Sequence, residues 1–586
     1  VAYELDDLYF KVKKVTLYFK KSKNNYFAAQ FPSNATAFYM TLPTYFRFLL
    51  LLMGITSLCF AQQQEKKDMG SINGSFQSDV QWYFEDSIIN AQTVDEELMS
   101  NTFLQLTYQR GNFSAGIRYE AYLNPLLGFR GEYEGQGIPY RFAKYSSEKL
   151  DITVGNFYDQ YGNGMIFRAY QEWTLGIDNS IDGVRVAFKP FKGLYLKGLV
   201  GTQRKFWNRS DGLMRGGDVE WFLHESFPKL LEKKWLISVG GSVLNRFLED
   251  DNVSLVLPEN VSAFAARASV SKGRFNINGE YSYKINDPFD KNNFTYNPGN
   301  GIYLNANYNQ KGLGISASFK RIDNMDFRSE RDPLIEELTL SFLPPTTLQH
   351  TWRLPTLYPY ATQPNGEFGF QADLIYTIPR GTLLGGKYGT QISMNYSQVN
   401  ALRKTFTDSI FTYEVDFAPQ ARMYFQDFNV RIDRKWNKKM KSTFQYINLL
   451  YDKGVIELGD ENSPLEPVRT NVFVLETTYK VKRKHNLRNE IQFMLTEQDL
   501  GSWAMLLMEY SISPHWYFTV FDEWNFGNPD PGRRAHYYNV NAAYVFGANR
   551  ISLAYGRQRA GLLCVGGICR VVPAANGFTL SVSSTF

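Results

Sequence analysis

The chain has 586 residues, with 63 Lys+Arg against 58 Asp+Glu, 5 His, 3 Cys and 16% aromatic residues (45 Phe, 38 Tyr, 10 Trp). Only 21% of residues are charged, yet the mean hydropathy is −0.34, so the polarity comes from Asn, Gln, Ser, Thr, Tyr and backbone-rich Gly. Such aromatic content excludes disorder. No stretch of about 20 apolar residues follows the N-terminal region, which excludes a polytopic helical membrane protein, and a dispersed net charge of +5 points to no nucleic-acid partner.

Residues 1–39 mix Lys-rich and aromatic pieces without a period and read as an upstream mistranslation rather than native protein. From Met40 the chain runs MTLPTYFRFLLLLMGITSLCFAQQQ. Arg47 is the positive n-region, 48–60 the apolar h-region, and Cys59-Phe60-Ala61 a small-x-small cleavage pattern. The apolar run falls short of the ~20 residues of a spanning helix, and Leu58 does not suit a lipobox before Cys59. The expectation is a signal peptide over 40–61 and an exported chain from Gln62.

Beyond Gln62 the side chains alternate. In 274–285, Arg274, Asn276, Asn278, Glu280, Ser282 and Lys284 share one face, and Phe275, Ile277, Gly279, Tyr281, Tyr283 and Ile285 the other. Similar patterns run through 150–157, 184–189, 302–309, 313–320, 367–378, 387–397, 473–482, 487–496 and 537–546. Period-2 alternation gives each strand an apolar and a polar face. A soluble sandwich also alternates, but these strands are long against a globular mode of about 5–6 residues.

The connections alternate as well. Short ones fall at 110–112, 146–149, 190–193, 272–273, 310–312, 436–439, 482–486, 513–515 and 547–549. Long ones fall near 85–98, 122–137, 158–180, 204–215, 248–258, 286–300, 324–366, 398–412, 452–468, 526–535 and 559–577. Short periplasmic turns opposite long external loops are the asymmetry of outer-membrane barrels. The final stretch 577–586 alternates and ends on Phe586, resembling the signal read by the barrel assembly machinery. The fold expected is all-β: a transmembrane antiparallel β-barrel of about 24 strands, within roughly 22 to 26. Strands begin near Ser71, leaving no room for a separate N-terminal plug domain.

Three segments are similar to an uncharacterised outer-membrane β-barrel family of Bacteroidota-type bacteria: GNFYDQYGNGMIFRAYQEWTLGIDNSIDGVRV (155–186), LPPTTLQHTWRLPTLYPYATQPNGEFGFQADLIY (343–376) and GRQRAGLLCVGGICRVVPAANGFTLSVSSTF (556–586). The resemblance implies an integral location in a Gram-negative outer membrane. It implies no activity, because the family has none to carry over.

Few residues suggest chemistry. Cys564 and Cys569, in Cys-Val-Gly-Gly-Ile-Cys, suit a disulfide in an oxidising compartment, ahead of free thiols or a zinc site, which would need two further soft ligands. Gly381 to Tyr388 mimics a phosphate loop, but Tyr388 stands where Ser or Thr would bind magnesium, so a Gly-rich turn is expected. His224, His350, His485, His515 and His536 are scattered. The acidic pieces 286–290 and 459–462 could hold calcium, but solvated loop tips are expected. No enzyme activity, metal or cofactor is expected.

Loops 158–180 and 324–366 are unusually apolar, carrying Met165, Phe167 and Trp173 in one and Trp352 and Tyr358 in the other. Apolar loops are costly when solvated, and a barrel of this size has a wide bore. The two loops are therefore expected to enter or cross the lumen, the alternative being an external cap packed on itself. Arg274, Glu280, Lys284, Lys320, Asp373, Lys387, Glu476 and Arg488 are expected to face the lumen and give it mixed charge. The functional expectation is a passive channel for small solutes; the alternative is a non-transporting barrel or accessory subunit of a secretion or surface-assembly complex. Expected partners are outer-membrane lipid and lipopolysaccharide, the barrel assembly machinery during insertion, and possible protein partners in a surface complex.

Overall fold

The computed structural model describes residues 69–250, 252–331, 338–407 and 411–586. The expected signal peptide at 40–61 and the segment 1–39 lie outside the described residues. A single antiparallel sheet of 24 strands dominates, matching the expected count. Numbering only the strands of this sheet, the first five are β1 (Ser71–Phe84), β2 (Leu98–Arg110), β3 (Phe113–Leu123), β4 (Gly135–Ser146) and β5 (Leu150–Phe157). Next come β6 (Ile181–Phe188), β7 (Leu194–Lys205), β8 (Asn208–Phe222), β9 (Trp235–Phe247), β10 (Asn260–Lys272), β11 (Phe275–Lys284), β12 (Gly299–Gln310) and β13 (Leu313–Asp323). The second half runs through β14 (Gly366–Ile378), β15 (Thr390–Phe406), β16 (Tyr413–Lys435), β17 (Met440–Tyr451), β18 (Val468–Lys482) and β19 (His485–Leu495). It ends with β20 (Trp503–Ile512), β21 (Trp516–Trp524), β22 (His536–Phe546), β23 (Asn549–Gln558) and β24 (Ala575–Thr585).

Each strand pairs with its sequence neighbour, and the sheet closes because β1 also pairs with β24, from Ser75↔Thr585 to Phe84↔Asn576. Closure gives every strand a partner on both sides, so no open edge of N–H and C=O groups is left along the seam. Alternation divides the wall as the sequence implies. Phe264, Phe275, Ile277, Tyr281, Leu304, Leu506 and Met508 stand exposed on the outer face. Glu280, Ser282, Lys284, Lys320, Asp427, Glu490 and Glu523, on the opposite parity, are buried.

At one end of the barrel the strands are joined mostly by tight turns; the other end carries the loops. Several expected connections differ. The stretch 204–215 is not a loop: β7 and β8 meet at the two-residue turn Phe206-Trp207, and β8 bulges to keep pairing. Asn208, Arg209 and Ser210 lack an apolar alternation, so the strand was hidden in sequence. Likewise 398–412 is largely strand, since β15 and β16 pair out to Phe406↔Tyr413. At the turn end, 223–234 carries two short helices, Leu223–Ser226 and Pro228–Glu232, and 379–389 is a broad turn containing the phosphate-loop mimic.

Closure can be tested chemically. Gln77 and Ser583 lie directly opposite across the seam, where opposed Cβ atoms are about 5 Å apart. A Gln77→Cys/Ser583→Cys pair is expected to cross-link on oxidation and shift the unfolded band on a gel, whereas Gln77→Cys/Thr579→Cys should not; equal cross-linking would contradict the register.

Candidate functional site

The loops at the wide-loop end turn inward. The bore they enter is lined by the buried face of the strands, and the fill divides into two packed assemblies.

The first centres on 158–180. Tyr161, Met165, Ile166 and Phe167 pack with Met325, Phe327, Leu340 and Leu343 of the 324–365 loop against Leu199, Met214, Leu244, Ala263 and Ile322 of the wall. The two loops are also stitched by backbone, with Arg168 N–H donating to the Leu340 carbonyl at 2.8 Å and Phe342 N–H to Gly164 at 2.9 Å. Polar ties fix the loop to the strands. Glu280 Oε2 accepts from the Asn163 N–H (2.7 Å) and Nδ2 (2.9 Å). Asp159 accepts from Arg185 (2.6 Å) and Lys197 (2.8 Å).

At its base lies a buried four-charge network. Arg118 pairs with Glu120 at 2.7 Å and with Asp178, and Arg204 pairs with Glu120 and Asp178, both at 2.7 Å. Tyr158 donates to Asp178 at 3.0 Å. Two guanidiniums thus face two carboxylates, with loop residues Tyr158 and Asp178 clamped to strands β3 and β7. Burial would push the Asp178 carboxyl up, but Arg204 and Arg118 outweigh it and hold it below the usual range. Trp173 is half-buried, its ring 3.9 Å from that of Phe103 and 5.1 Å from the Arg118 guanidinium.

The second assembly is built on 344–365. Trp352, Leu354, Leu357, Tyr358 and Tyr360 pack against Val399, Phe425, Ile447, Val472, Val474, Met494, Trp503, Met505 and Leu507. Hydrogen bonds run to successive strands: His350 to Asp427 of β16 (2.7 Å), Trp352 Nε1 to Gln445 of β17 (2.7 Å) and Leu354 N–H to Gln492 of β19 (3.0 Å). Arg353 pairs with Glu523 of β21, which Arg559 also reaches at 3.2 Å. A segment that leaves β13 and bonds to β16, β17, β19 and β21 lies along the inner face of that arc of the wall. Gln445 lies about six residues below Tyr451, the loop end of its strand, so Trp352 reaches about 20 Å down the wall at ~3.3 Å per residue.

Small residues admit this fill. A Cβ on Gly369 of β14 would stand 2.1 Å from Thr346 Oγ1, and one on Gly301 of β12 would stand 2.6 Å from Met165 Cε. Cys564 and Cys569 are joined as a disulfide across the hairpin Gly561–Val565/Ile568–Val572. That hairpin leans on the second assembly, since Gln349 Nε2 donates to the Cys564 carbonyl (2.5 Å) and Thr362 N–H to Gly567 (3.0 Å).

Of the residues expected to face the lumen, Glu280, Lys284 and Lys320 are on the inner wall but buried beneath the loops. Lys284 donates to the Asp326 carbonyl, and Lys320 pairs with Glu367 and donates to Pro344 at 2.6 Å. Asp373 accepts from Asn395 (2.6 Å), and Glu476 pairs with Arg488 (2.8 Å); both lie nearer the turn end. Two expectations are corrected. Lys387 sits exposed in the 379–389 turn and not on a strand; the Gly-rich segment breaks the alternation its position was read from. Arg274 belongs to the tight turn before β11 and is tied to Gln310 at 2.7 Å, so it marks the rim rather than the wall. Asp287, expected at a solvated tip, is buried against Arg246 at 2.8 Å and Arg331 at 3.1 Å; burial would raise its carboxyl, but Arg246 and Lys284 hold it low. Among the described residues no His/Cys/Asp/Glu group is placed to hold a metal ion.

The sequence matches a family profile over residues 44–586, described as a family of unknown function, DUF6029. The chain belongs to that family. No curated protein matches the DUF6029 chain. Among solved structures it is similar to the P pilus usher (PapC) translocation pore, at 9% identity and TM-score 0.42, covering 88% of this chain and 99% of the usher chain. It is also similar to the siderophore receptor PirA from Pseudomonas aeruginosa (9% identity, TM-score 0.38, 89% and 81% covered). A third likeness is OccK3 (OpdO) of Pseudomonas aeruginosa (12%, TM-score 0.33, 74% and 96%). Likenesses this remote say nothing about what the DUF6029 barrel carries or binds.

Two outcomes follow from the network. Arg204→Met strands Glu120 and Asp178 short of a buried partner, a loss of about 3–5 kcal/mol, and should expose 158–180 to protease while the barrel stays folded. Because the Asp178 and Asp287 carboxyls titrate below the ordinary 3.8, their contribution is complete above that value and fades as pH falls through the lower folded pKa. Protease cleavage within the loops is therefore expected to rise only below about pH 4 and to be flat from about pH 5 to 8.

Proposed function

We propose that this DUF6029 barrel resides in the outer membrane of a Gram-negative, Bacteroidota-type bacterium and acts as a low-conductance passive channel for small solutes. Lipid and lipopolysaccharide surround it, and the barrel assembly machinery inserts it. The loops 158–180 and 324–365 constrict its bore. The reading assigns transport rather than catalysis, and no cofactor.

Its main support is the division of the inner wall. Toward the loop end the wall is covered by the two assemblies. Toward the turn end it keeps a half-buried polar lining, including Asn276, Asn278, Asn305, Asn307, Asp373 and the Glu476–Arg488 pair. An amide and mixed-charge lining suits hydrated solutes of either sign. The apolar outer face supports a surrounding of hydrocarbon, in which only a closed barrel satisfies strand backbone groups.

A second reading, a closed structural barrel or accessory subunit of a surface complex, is favoured by one observation: the loop contacts rest on buried ion pairs, which resemble permanent packing more than a gate.

Planar-bilayer recording separates the two. The full chain is expected to give small steps, and deletion of 345–360 steps several-fold larger. Gly369→Leu, which intrudes on Thr346, should act in the same direction. A large conductance unchanged by the deletion would refute the constriction. Silence throughout, with a partner recovered in gentle detergent, would favour the accessory reading.

A further inference from the structure

The outer face of the barrel is apolar almost everywhere, but on β4 to β8 it carries arginines. Arg141 of β4 stands opposite Ile117, which is exposed on the outer face, and its side chain is 54% exposed. Asp182 of β6 shares the face of the exposed Val184 two residues on. Arg209 of β8, 57% exposed, pairs with Asp182 at 2.7 Å, and Arg141 approaches the same carboxylate at 3.7 Å. Arg215, further down β8, is also exposed and stands opposite Val200 of the outer face. Two guanidiniums thus share one carboxylate, and Arg215 adds a third exposed arginine on the same face, near the Phe247 ring.

An arginine facing hydrocarbon near the bilayer midplane costs roughly 2–4 kcal/mol, so the level of this cluster needs a reason. The wall supplies it. β5 and β6 are the shortest strands of the barrel at 8 residues each, below the ~9–11 that span a bilayer. Beyond Phe157 the chain leaves the wall to enter the bore. The polar boundary therefore dips toward Phe157 and Ile181, and the cluster lies at headgroup depth.

Immediately on the turn side of Arg141 the outer face is hollow. A cavity of about 570 Å³ is walled by Ile72, Leu106, Tyr108, Ala115, Ile117 and Val154, with Arg141 at its rim. Its floor is shaped by Gly155, whose φ of +95° and 2.4 Å approach of a notional Cβ to the Arg141 carbonyl exclude a side chain. Charge lies at the loop end and an apolar furrow runs from it toward the turn end. This is the polarity of a lipid in the outer leaflet.

Resting on the outer-membrane reading above, we propose that Arg141 and Arg209 bind the phosphate of an acylated, phosphorylated glycolipid of the outer leaflet, with one acyl chain lying in the furrow. Guanidinium groups suit phosphate through paired N–H donors, and among the described residues Asp182 is the one carboxylate that pairs with Arg141 and Arg209. A zwitterionic phospholipid would satisfy the furrow but not the excess charge.

The test is native mass spectrometry of the detergent-purified, full-length barrel with added bisphosphorylated lipid A, its dephosphorylated form, or phosphatidylethanolamine. The wild type should retain one lipid A at least tenfold more strongly than either of the others. Arg141→Gln/Arg209→Gln should remove that preference, and Asp182→Asn should strengthen it. Ala115→Trp, which fills the furrow, should weaken all three lipids. Arg533→Gln, at a distant and 76% exposed arginine, serves as the control and should change nothing. Equal retention of the three lipids by the wild type, or a double variant that binds lipid A as the wild type does, overturns the proposal. Heat-modifiable gel migration of each variant keeps that failure apart from failure of the membrane reading: a chain that is not a folded, membrane-extracted barrel overturns the latter.

Discussion

The structure depends on the need of every strand N–H and C=O for a partner. A sheet this wide has two edges to satisfy, and the pairing of β1 with β24 removes both. In hydrocarbon no solvent could do so. Closure then fixes an inside and an outside, and period-2 geometry assigns each side chain to one of them. The faces are consequences of the seam.

A closed wall of this size encloses more space than its own side chains can fill. The protein meets this with chain from its loops, and the mode of attachment differs by height. Near the loop end the inner wall turns apolar and takes up Met165, Phe167, Trp352 and Tyr358 as a core. Charged wall residues there are paired with the fill or with each other, as in Lys320 with Glu367 and Arg246 with Asp287. Unpaired, such groups would each carry a large desolvation cost. Toward the turn end the amides and ion pairs remain half-buried.

The wall and its fill are also linked through strand length. Where β5 and β6 stop short, the chain is released into the bore as the 158–180 loop, and Arg141, Asp182 and Arg209 meet on the outer side beside the same shortfall. One local feature thus shapes both surfaces of the barrel. β18 and β20 illustrate the reverse case. Val472 and Val474, and Met505 and Leu507, face inward beside outward Phe473, Leu475, Leu506 and Met508. Such strands, apolar on both faces, occur where the second assembly covers the inner wall, and that doubling was the one sequence signal for where the fill would bind.

The sequence by itself determined the fold class, the strand count and the sidedness of most strands, because these follow from local alternation and turn chemistry, which each segment carries independently. It also marked 158–180 and 324–366 as too apolar for solvent. Only the tertiary structure decided what those loops meet. Arg118 and Glu120, Asp178, and Arg204 come from three separate stretches of chain, and Glu280 and Lys320 look like water-lining residues until a loop is laid over them. Burial and charge pairing of that kind depend on which strands closure brings face to face across the bore, a relation between distant segments that no local period encodes.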